Sequence, residues 1–369
     1  MRILDIERDR LLKPLQAVSG IVERRHTLPI LSNVLLEVDG EVLKLLATDL
    51  EIQISTEVTL AKAANRQAVT VSARKLQDIL RSLPEEAVVV LDGQESKIVL
   101  RAAKSRFNLQ TLPAQEYPRL AEVSAEGSTS LTLQQKQLKA MLQMVQYAMA
   151  QQDIRYYLNG LLLLVEKGVM TMVATDGHRL AYVSNGIDGG LEKAEVILPR
   201  KAVLELVKLL GEGEGEVALQ LSPTQARFVF GGIDLVSKVI DGKFPDYGRV
   251  IPSSYKKHIV VPRPVLLQAL QRAAILSNEK FRGVRWVLTA NSLKVICTNS
   301  EQEEAEEELE VEYAGEALDV GFNISYLVDV LANLEAEHVD CALGDANSSM
   351  LLTVPGNKAF KYVVMPMRI

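Results

Sequence analysis

The chain has 369 residues, of which 48% are hydrophobic and 24% are charged, and its formal net charge is −6. This length exceeds what one hydrophobic core usually serves, so two or three domains are expected. The composition is that of an ordinary globular protein and argues against disorder. The apolar runs are far shorter than the ~20 residues of a membrane-spanning helix, and the charged N-terminus is unlike a signal peptide. We therefore expect a cytoplasmic protein.

The chain in order alternates helical patterns with short strand patterns. Apolar residues at helical spacing predict longer helices over residues 8–22, 134–149 and 263–276, and shorter ones over residues 71–80, 198–207 and 322–331. Ser72, Pro199 and Asn323 supply start signals for the shorter helices. Alternating runs that end in turn residues predict about eight strands per unit. The sequence therefore favours an α+β fold, with antiparallel sheets and helices on one face.

One short motif recurs three times. It reads Ala174-Thr175-Asp176-Gly177-His178-Arg179-Leu180 in its fullest form, with weaker copies at Ala47-Thr48-Asp49-Leu50 and Cys297-Thr298-Asn299-Ser300. The copies begin 127 and 123 residues apart, about a third of the chain, so the sequence is a triplication. Tyr117-Pro118 and Phe244-Pro245 also lie 127 residues apart, and polar linkers follow them. We predict domains at residues 1–127, 128–256 and 257–369.

The charges are distributed unevenly between the helices and the rest of the chain. The segments that contain the helices and their flanking residues together carry a net charge of +11, so the remainder carries −17 to give the total of −6; these segments are residues 8–25, 72–82, 133–155, 199–211, 262–282 and 323–334. If the helices share one face, that face would attract phosphates without reading bases. The alternative is that amphipathic helices simply carry Lys and Arg on their solvated sides.

The candidates for catalysis or metal binding are weak. Asp176 and His178 could form an acid/base pair, but the pattern favours a turn after a strand. The four histidines are scattered, and the two cysteines, Cys297 and Cys341, suggest neither a disulfide framework nor a zinc site. We expect both to be free thiols in strands. The acidic residues at 301–308 are typical of a solvated surface, and the glycines at 211–215 of a loop. We therefore expect no enzyme activity, cofactor or metal.

The C-terminal residues are apolar up to the end of the chain, which is unusual because chain ends are normally polar and frayed. Two explanations stay open. Residues 362–369 could form a buried final strand, or Met365, Pro366 and Met367 could line one side of an exposed groove. Methionine side chains adapt to varied partners, which suits the second explanation.

The whole chain resembles the bacterial DNA polymerase III beta subunit, the sliding clamp. The resemblance is carried by five long segments at residues 152–160, 174–180, 241–247, 272–285 and 362–369. It implies three tandem DNA-clamp domains, each with two helices packed on antiparallel sheets, in a ring-shaped head-to-tail homodimer. It also implies a non-catalytic processivity factor that encircles duplex DNA independently of sequence and is cytoplasmic and associated with the nucleoid.

The resemblance further implies partners and binding residues. The partners would be the DNA polymerase III alpha subunit, the clamp loader delta subunit, translesion polymerases, mismatch-repair proteins and ligase. DNA contacts would be made by Arg25, Arg74, Gln152, Tyr156, Tyr157, Arg200 and Lys201. The dimer interface would use Phe107 and Leu109 of one subunit against Ile275 and Leu276 of the other. The partner-peptide pocket would comprise Leu158, Thr175, Gly177, His178, Arg179, Leu180, Pro245, Arg249, Val250, Phe281, Asn323, Tyr326, Ser349, Val363, Val364, Met365, Pro366, Met367 and Arg368.

Two positions depart from the expected family pattern. Asn347 stands where an apolar pocket residue is expected, and His26 stands where proline is expected beside Arg25. Two other functions remain as alternatives. An enzyme centred on Asp176 and His178 would lose a turnover activity when they are replaced, whereas a clamp would lose partner binding. A two-repeat clamp of the eukaryotic and archaeal type is disfavoured by the three repeats.

Overall fold

The structure is a computed structural model that describes residues 2–23, 28–94, 96–188 and 193–368. In these residues the α-helices are α1 Arg8–Ser19, α2 Ala73–Ser82, α3 Gln135–Val145, α4 Arg200–Leu209, α5 Arg263–Ala273 and α6 Ile324–Ala332. All six helices predicted from the sequence are confirmed. The three longer ones end earlier than predicted, and 3-10 turns follow α3 and α5 at Gln146–Ala148 and Ala274–Leu276.

Local side-chain hydrogen bonds explain where two of the shorter helices begin. The Ser72 hydroxyl accepts a hydrogen bond from the Lys75 amide at 3.4 Å before α2, and the Asn323 side chain accepts one from the Ser325 amide at 2.9 Å before α6. Each bond satisfies an amide that the first helical turn leaves without a partner. The start signals in the sequence therefore acted as predicted.

The strands are short outside the first domain. They are β1 Arg2–Glu7, β2 Asn33–Thr48, β3 Ile52–Ser72, β4 Val88–Gln94, β5 Lys97–Ala102, β6 Ser105–Gln110, β7 Thr129–Gln134, β8 Gly160–Glu166, β9 Val169–Thr175, β10 Arg179–Gly186, β11 Ala194–Pro199, β12 Glu216–Leu221, β13 Gln225–Phe230, β14 Ile233–Lys238, β15 Lys257–Pro262, β16 Gly283–Thr289, β17 Ser292–Thr298, β18 Glu304–Glu310, β19 Leu318–Asn323, β20 His338–Leu343, β21 Met350–Val354 and β22 Asn357–Val364.

The prediction of eight strands per unit is correct for the second and third domains and wrong for the first. In its described residues the first domain forms six strands, because β2 and β3 run for 16 and 21 residues. Each long strand corresponds to two strands of the second domain. Irregular pairing around Gly40 marks the point where β2 would otherwise be divided.

The chain divides into two compact units, residues 1–137 with 204–239 and residues 138–203 with 240–369. The first unit contains the sheets β1-β4-β5-β6 and β2-β3-β14-β13-β12-β7. The second contains the sheets β11-β8-β9-β10-β22-β21-β20-β15 and β18-β17-β16-β19. Adjacent strands in the described sheets are antiparallel, which confirms the α+β class. Each larger sheet combines strands of two consecutive predicted domains, and the two compact units do not divide at the predicted boundaries. The boundaries near residues 127 and 256 therefore stay predictions.

The two larger sheets join consecutive domains by the same pairing. In the first unit, residues 52–56 of β3 pair with residues 233–237 of β14. In the second unit, residues 179–183 of β10 pair with residues 360–364 of β22. The two junctions are related by a shift of 127 residues, which is the repeat length seen in the sequence.

Helices pack in pairs against the sheets of both units. In the first unit α1 contacts α2, β2 and β3, and in the second α5 contacts α6, β17 and β18. Trp286 and Phe322 meet edge to face in the core of the third domain, with ring centres 5.7 Å apart. Cys297 and Cys341 are buried free thiols in β17 and β20, as predicted, and burial raises the pKa of Cys297 to about 11. No helix in the described residues is long and apolar enough to cross a membrane.

Candidate binding sites for a peptide, DNA and a second subunit

The repeated motif forms a tight turn between two strands. After β9, the Thr175 hydroxyl donates to the Arg179 carbonyl at 2.6 Å and accepts from the Gly177 amide at 3.1 Å. The Asp176 carboxylate accepts from the amides of His178 and Arg179 at 2.9 and 3.0 Å. Gly177 has φ +90°, where a side chain would be strained. The motif therefore consists of residues that cap and shape this turn.

The first copy of the motif makes the same hydrogen bonds. The Thr48 hydroxyl donates to the Ile52 carbonyl and accepts from the Leu50 amide, while the Asp49 carboxylate accepts from the amides of Glu51 and Ile52. This copy has no histidine, so its aspartate makes the hydrogen bonds of the turn without one nearby in the motif. The structure therefore supports the turn interpretation of Asp176 rather than an acid/base pair.

The C-terminal residues complete β22 and continue beyond it, so each of the two explanations that the sequence left open applies to part of the segment. Val363 and Val364 are buried in this strand, whereas Met365 is 47% exposed. The Met365 amide donates to the His178 carbonyl at 2.9 Å, and the Met367 amide donates to the Gly321 carbonyl at 2.9 Å. The buried strand thus continues into a partly exposed tail that is held to both the turn and β19.

The residues predicted for the peptide pocket all lie in the second unit and differ in exposure. The buried ones are Leu158, Thr175, Leu180, Val363 and Val364. The half-buried ones are Arg179, Pro245, Asn323, Tyr326, Ser349, Pro366 and Met367. The exposed ones are Gly177, His178, Arg249, Val250, Phe281, Met365 and Arg368. Asn347, which departs from the expected pattern, is exposed in a turn where its amide donates to Asp345.

Several of these residues adjoin well-defined features of the surface. Phe281, Met367 and Arg368 line one side of a cleft of about 610 Å³, together with polar residues of β16 and β17. Leu180 and Val363 belong to an apolar cluster with Phe244 below the segment that carries Pro245 and Val250. A short peptide with apolar anchors requires exposed apolar side chains beside a cleft, and this surface offers both.

The C-terminal tail and the turn of the motif adjoin a buried polar network. The Tyr362 hydroxyl, whose pKa is raised by burial, donates to the Tyr326 carbonyl at 2.9 Å. Burial also raises the pKa of Tyr147, whose ring lies 6.0 Å from the Tyr362 ring. The guanidinium carbon of Arg179 lies 5.8 Å from the centre of the Tyr147 ring, and the guanidinium donates to Asp329 at 2.6 Å. Sequence reasoning missed Tyr147 and Asp329, because neither lies in a segment that carries the motif.

The predicted DNA contacts fall at helix starts and in one loop. Arg74 is the second residue of α2, and its side chain is 67% exposed and 3.7 Å from Asp78. Arg200 and Lys201 begin α4, and Arg200 donates to the Met149 carbonyl at 3.3 Å. Partial burial lowers the pKa of Arg200. Arg25 and its neighbour His26 lie outside the described residues.

The remaining predicted DNA contacts lie in the loop between α3 and β8. Gln152 has a positive φ of 56°, and the rings of Tyr156 and Tyr157 meet edge to face at 6.0 Å. The Tyr156 side chain is exposed. The loop is held by Asp153, which accepts hydrogen bonds from the Arg155 amide and guanidinium at 2.8 to 3.0 Å. It therefore presents polar and aromatic groups on a constrained backbone.

Two of the four residues predicted for the dimer interface lie on the edge strand β6, and the other two lie in the 3-10 turn that contacts β17 and the edge strand β18. Phe107 and Leu109 lie on β6, the last strand of the sheet β1-β4-β5-β6. Ile275 and Leu276 follow α5, and Ile275 is 77% exposed. Leu109 is only 8% exposed because it is buried within its own subunit, so its contact with a second subunit would be limited.

The acidic residues that the sequence suggested to be plain surface form an edge strand. This strand is β18, which pairs only with β17 among the described strands, and its sequence is Glu-Ala-Glu-Glu-Glu-Leu-Glu. The edge strand β6 and the turn before it are basic instead, with Lys104 and Arg106 exposed. Ala305 and Leu309 lie an even number of positions apart, on one face of a strand, with charged residues on the other face. This spacing was the signal that could have indicated a strand.

Comparison with known proteins agrees with this three-domain clamp fold. The chain matches the N-terminal, central and C-terminal domains of the DNA polymerase III beta subunit over residues 2–121, 132–246 and 248–368. A beta sliding clamp from Pseudomonas putida is 48% identical over 99% of both chains. Two crystal structures from Pseudomonas aeruginosa, a beta subunit and a sliding clamp bound to griselimycin, are each 48% identical with TM-scores of 0.94; they cover 100% and 99% of both chains.

The fold and the repeated junctions define a three-domain DNA clamp. The chain belongs to the DNA polymerase III beta subunit family, the bacterial sliding clamps. Members of this family assemble as dimeric rings and are non-catalytic processivity subunits in DNA replication, which bind DNA and polymerase partners. The resemblance seen in the sequence is thereby confirmed, while the roles of individual residues stay predictions.

Proposed function

We propose that this chain closes a ring with a second copy by pairing β6 of one subunit with β18 of the other. Both strands are edges of antiparallel sheets, and each leaves a row of backbone groups available for pairing. A head-to-tail dimer would then contain the same kind of junction throughout. The observation that carries this proposal is the repetition of the junction at β3–β14 and β10–β22.

The repeated motif gives the register of the proposed junction. The residue that faces the first position of the motif is Ile54 in the first domain, Ala181 in the second and Ala305 in the third. Ile54 pairs with Leu235 across the first junction, and Ala181 pairs with Tyr362 across the second. The first-domain residue that corresponds to Leu235 and Tyr362 is Phe107, which faces buried Leu100 on β5. Phe107 would therefore pair with Ala305 of the other subunit.

This register has consequences for charge and packing. It sets Arg106 opposite Glu306, with Glu304 and Glu308 diagonal to it, so opposite charges meet at the junction. Phe107 and Leu109 would then lie on the same face of their sheet as Leu100 and Ile98, their partners on β5. On the other subunit, Ile275 and Leu276 lie in the turn after α5, on the helix side of the proposed junction. The apolar and charged parts of the proposed interface are thus mutually consistent.

A groove beside the C-terminal tail is proposed to hold the partner peptide. The tail is fixed to the turn at His178 and to β19 at Gly321, so it forms a defined edge. Exposed Met365, Phe281 and Val250 offer apolar contacts. The proposed peptides come from the DNA polymerase III alpha subunit, the clamp loader delta subunit, translesion polymerases, mismatch-repair proteins and ligase.

The proposed DNA contacts are supported by their placement at helix starts. Lys201 lies 127 residues after Arg74, and both are the second residues of their helices. A helix start already favours anions through its amides and dipole, and a cation there adds to the attraction for phosphate. Such contacts fix position without reading sequence, which suits sliding. We propose that the protein acts in the cytoplasm at the nucleoid.

Retention on circular DNA tests the proposed ring. The protein is loaded onto nicked circular DNA by its cognate clamp loader, and the bound fraction is followed before and after the circle is linearised. A ring should stay on circles and run off cut ends, because its link to DNA is topological. Equal retention on circles and linear DNA after proven loading would refute the encircling ring.

A further inference from the structure

Arg179 lies at the centre of a buried polar cluster in the second unit. Its side chain is 9% exposed, and its three nitrogens donate to Asp176 at 3.1 Å, Asp329 at 2.6 Å and the Tyr147 carbonyl at 2.5 Å. The guanidinium carbon also lies 4.3 Å from the centre of the Tyr326 ring. Two carboxylates, a carbonyl and an aromatic ring therefore offset the cost of burying this cation.

The cluster joins two of the clamp domains. Tyr147, Asp176 and Arg179 belong to the central domain, whereas Tyr326 and Asp329 belong to the C-terminal domain. Both C-terminal residues lie on α6, three positions apart, so one helix face meets the guanidinium. The side chains thus add a second link to the backbone pairing of β10 with β22.

The two walls of the proposed groove depend on this cluster. His178, the residue before Arg179, belongs to the central-domain wall, and its carbonyl accepts from Met365 of the other wall. Tyr326 lies directly on the guanidinium and accepts from Tyr362 through its carbonyl. Because each wall belongs to a different domain, the contacts of Arg179 act together with the pairing of β10 and β22 to fix the position of one wall against the other.

Asp176 and Asp329 are unequal partners of the same cation. Asp176 is three residues away in the same turn and 15% exposed, so it stays with Arg179 whatever the domains do. Asp329 is 150 residues away and 42% exposed, so water competes for it more readily. A buried cation loses much of its stabilisation when one carboxylate is removed. Asp329 is therefore the partner whose contact can change with domain position.

We propose that Arg179 and Asp329 form a positioning pair that holds the two walls of the peptide groove at binding distance. The inference rests on the proposed peptide groove and extends it to Asp329, which lies outside the predicted pocket. Peptide binding and the Arg179–Asp329 contact then favour each other, because coupling between two such events is reciprocal. The affinity of the groove for peptide accordingly depends on the position of α6.

Two substitutions of Asp329 test the pair against a matched control. The affinity of a fluorescein-labelled peptide that carries the clamp-binding motif of the cognate polymerase alpha subunit is measured by anisotropy. We expect Asp329→Asn to weaken binding by roughly fivefold or more, the usual lower range of such coupling. Asp329→Glu should restore most of the affinity. Asp340→Asn, which breaks the His258–Asp340 contact inside the C-terminal domain, should leave affinity unchanged.

Hydrogen exchange separates positioning from general destabilisation. In the unaltered protein, peptide should protect the amides of α6 as well as the turn at residues 175–179. In Asp329→Asn the protection of α6 should be lost while that of the turn persists. Unchanged affinity in Asp329→Asn, or equal weakening by Asp340→Asn, would overturn the positioning role alone. Failure of the unaltered protein to bind the peptide would instead remove the groove and this inference together.

Discussion

The amide of Met365 donates a hydrogen bond to the carbonyl of His178, 2.9 Å away, and so joins the C-terminal tail to the turn of the repeated motif. Together with the bond between Met367 and Gly321, it fixes an otherwise short, unpaired segment. The tail is thereby held as one edge of the proposed groove. Its removal would leave the strand β22 and the subunit interface untouched.

Deletion of residues 365–369 should therefore abolish binding of polymerase-derived peptides and leave the dimer intact. Peptide affinity is measured by fluorescence anisotropy, and native mass by light scattering. Replacement of exposed Lys358 by Ala is a suitable control, because this residue lies at the start of the same strand, β22. Full peptide affinity in the truncated protein would show that the groove is elsewhere.

Charge reversal tests the register proposed for the subunit junction. Arg106→Glu sets a carboxylate opposite Glu306 and should weaken the dimer, since like charges directly opposite destabilise a strand pair. Combining it with Glu306→Arg should recover part of the lost affinity between subunits. The dissociation constant is measured by sedimentation. If the double variant is no tighter than Arg106→Glu alone, the two residues do not face each other.

The apolar part of the junction makes a separate prediction. Ile275→Asp with Leu276→Asp should give monomers that still fold, because Ile275 is 77% exposed in the single chain and charge is excluded from apolar interfaces. Val265→Asp on α5 is the matched control, since Val265 is 50% exposed in the same domain. Light scattering should give half the native mass for the double variant only. A dimeric double variant would remove these residues from the interface.

The sequence predicted best what is decided by neighbouring residues. The turn at Thr175 and Asp176 and the caps at Ser72 and Asn323 all depend on hydrogen bonds that span a few positions. Their residue types therefore carry the structural information directly. The family resemblance then supplied the list of pocket residues, most of which fall along the tail and the turn.

Contacts between distant parts of the chain were not predictable in this way. Arg179 and Asp329 are 150 positions apart, and Asp329 looks like any polar residue on an amphipathic helix. The acidic run at residues 301–308 was predicted to be solvated surface, and its residues are exposed or half-buried. The position of β18 at the edge of a sheet was not predictable, because it depends on the topology.

The proposed DNA contacts should appear as a change in salt dependence. Arg74→Ala with Lys201→Ala removes two cations at helix starts, and each lost phosphate contact reduces the salt slope of binding by about one. Weak binding of the dimer to linear duplex DNA is measured by anisotropy over a series of salt concentrations. Peptide affinity should not change, because both residues lie outside the groove. An unaltered slope would exclude them as phosphate contacts.

Tyr117 closes the first domain and gives a prediction about pH. Its side chain is 5% exposed, its hydroxyl donates to the Asn33 carbonyl at 2.9 Å, and burial raises its pKa to about 12. Because the pKa of this phenol is higher in the folded state than in the unfolded state, the neutral phenol stabilises the fold. This contribution is fully present at pH values below the unfolded pKa of about 10. That stabilisation is lost as the pH rises from about 10 through about 12, and it amounts to about 3 kcal/mol at most.

Tyr117→Phe separates this titration from other alkaline effects. At pH 8 the variant should be less stable by about 1 kcal/mol, because the Asn33 carbonyl loses its buried donor. Near pH 11 the difference should vanish, since ionisation by then costs the tyrosine protein about as much as the hydrogen bond contributes. Urea unfolding of both proteins at the two pH values measures the difference directly. A stability gap that stays constant from pH 8 to pH 11 would mean that Tyr117 ionises no less readily when folded.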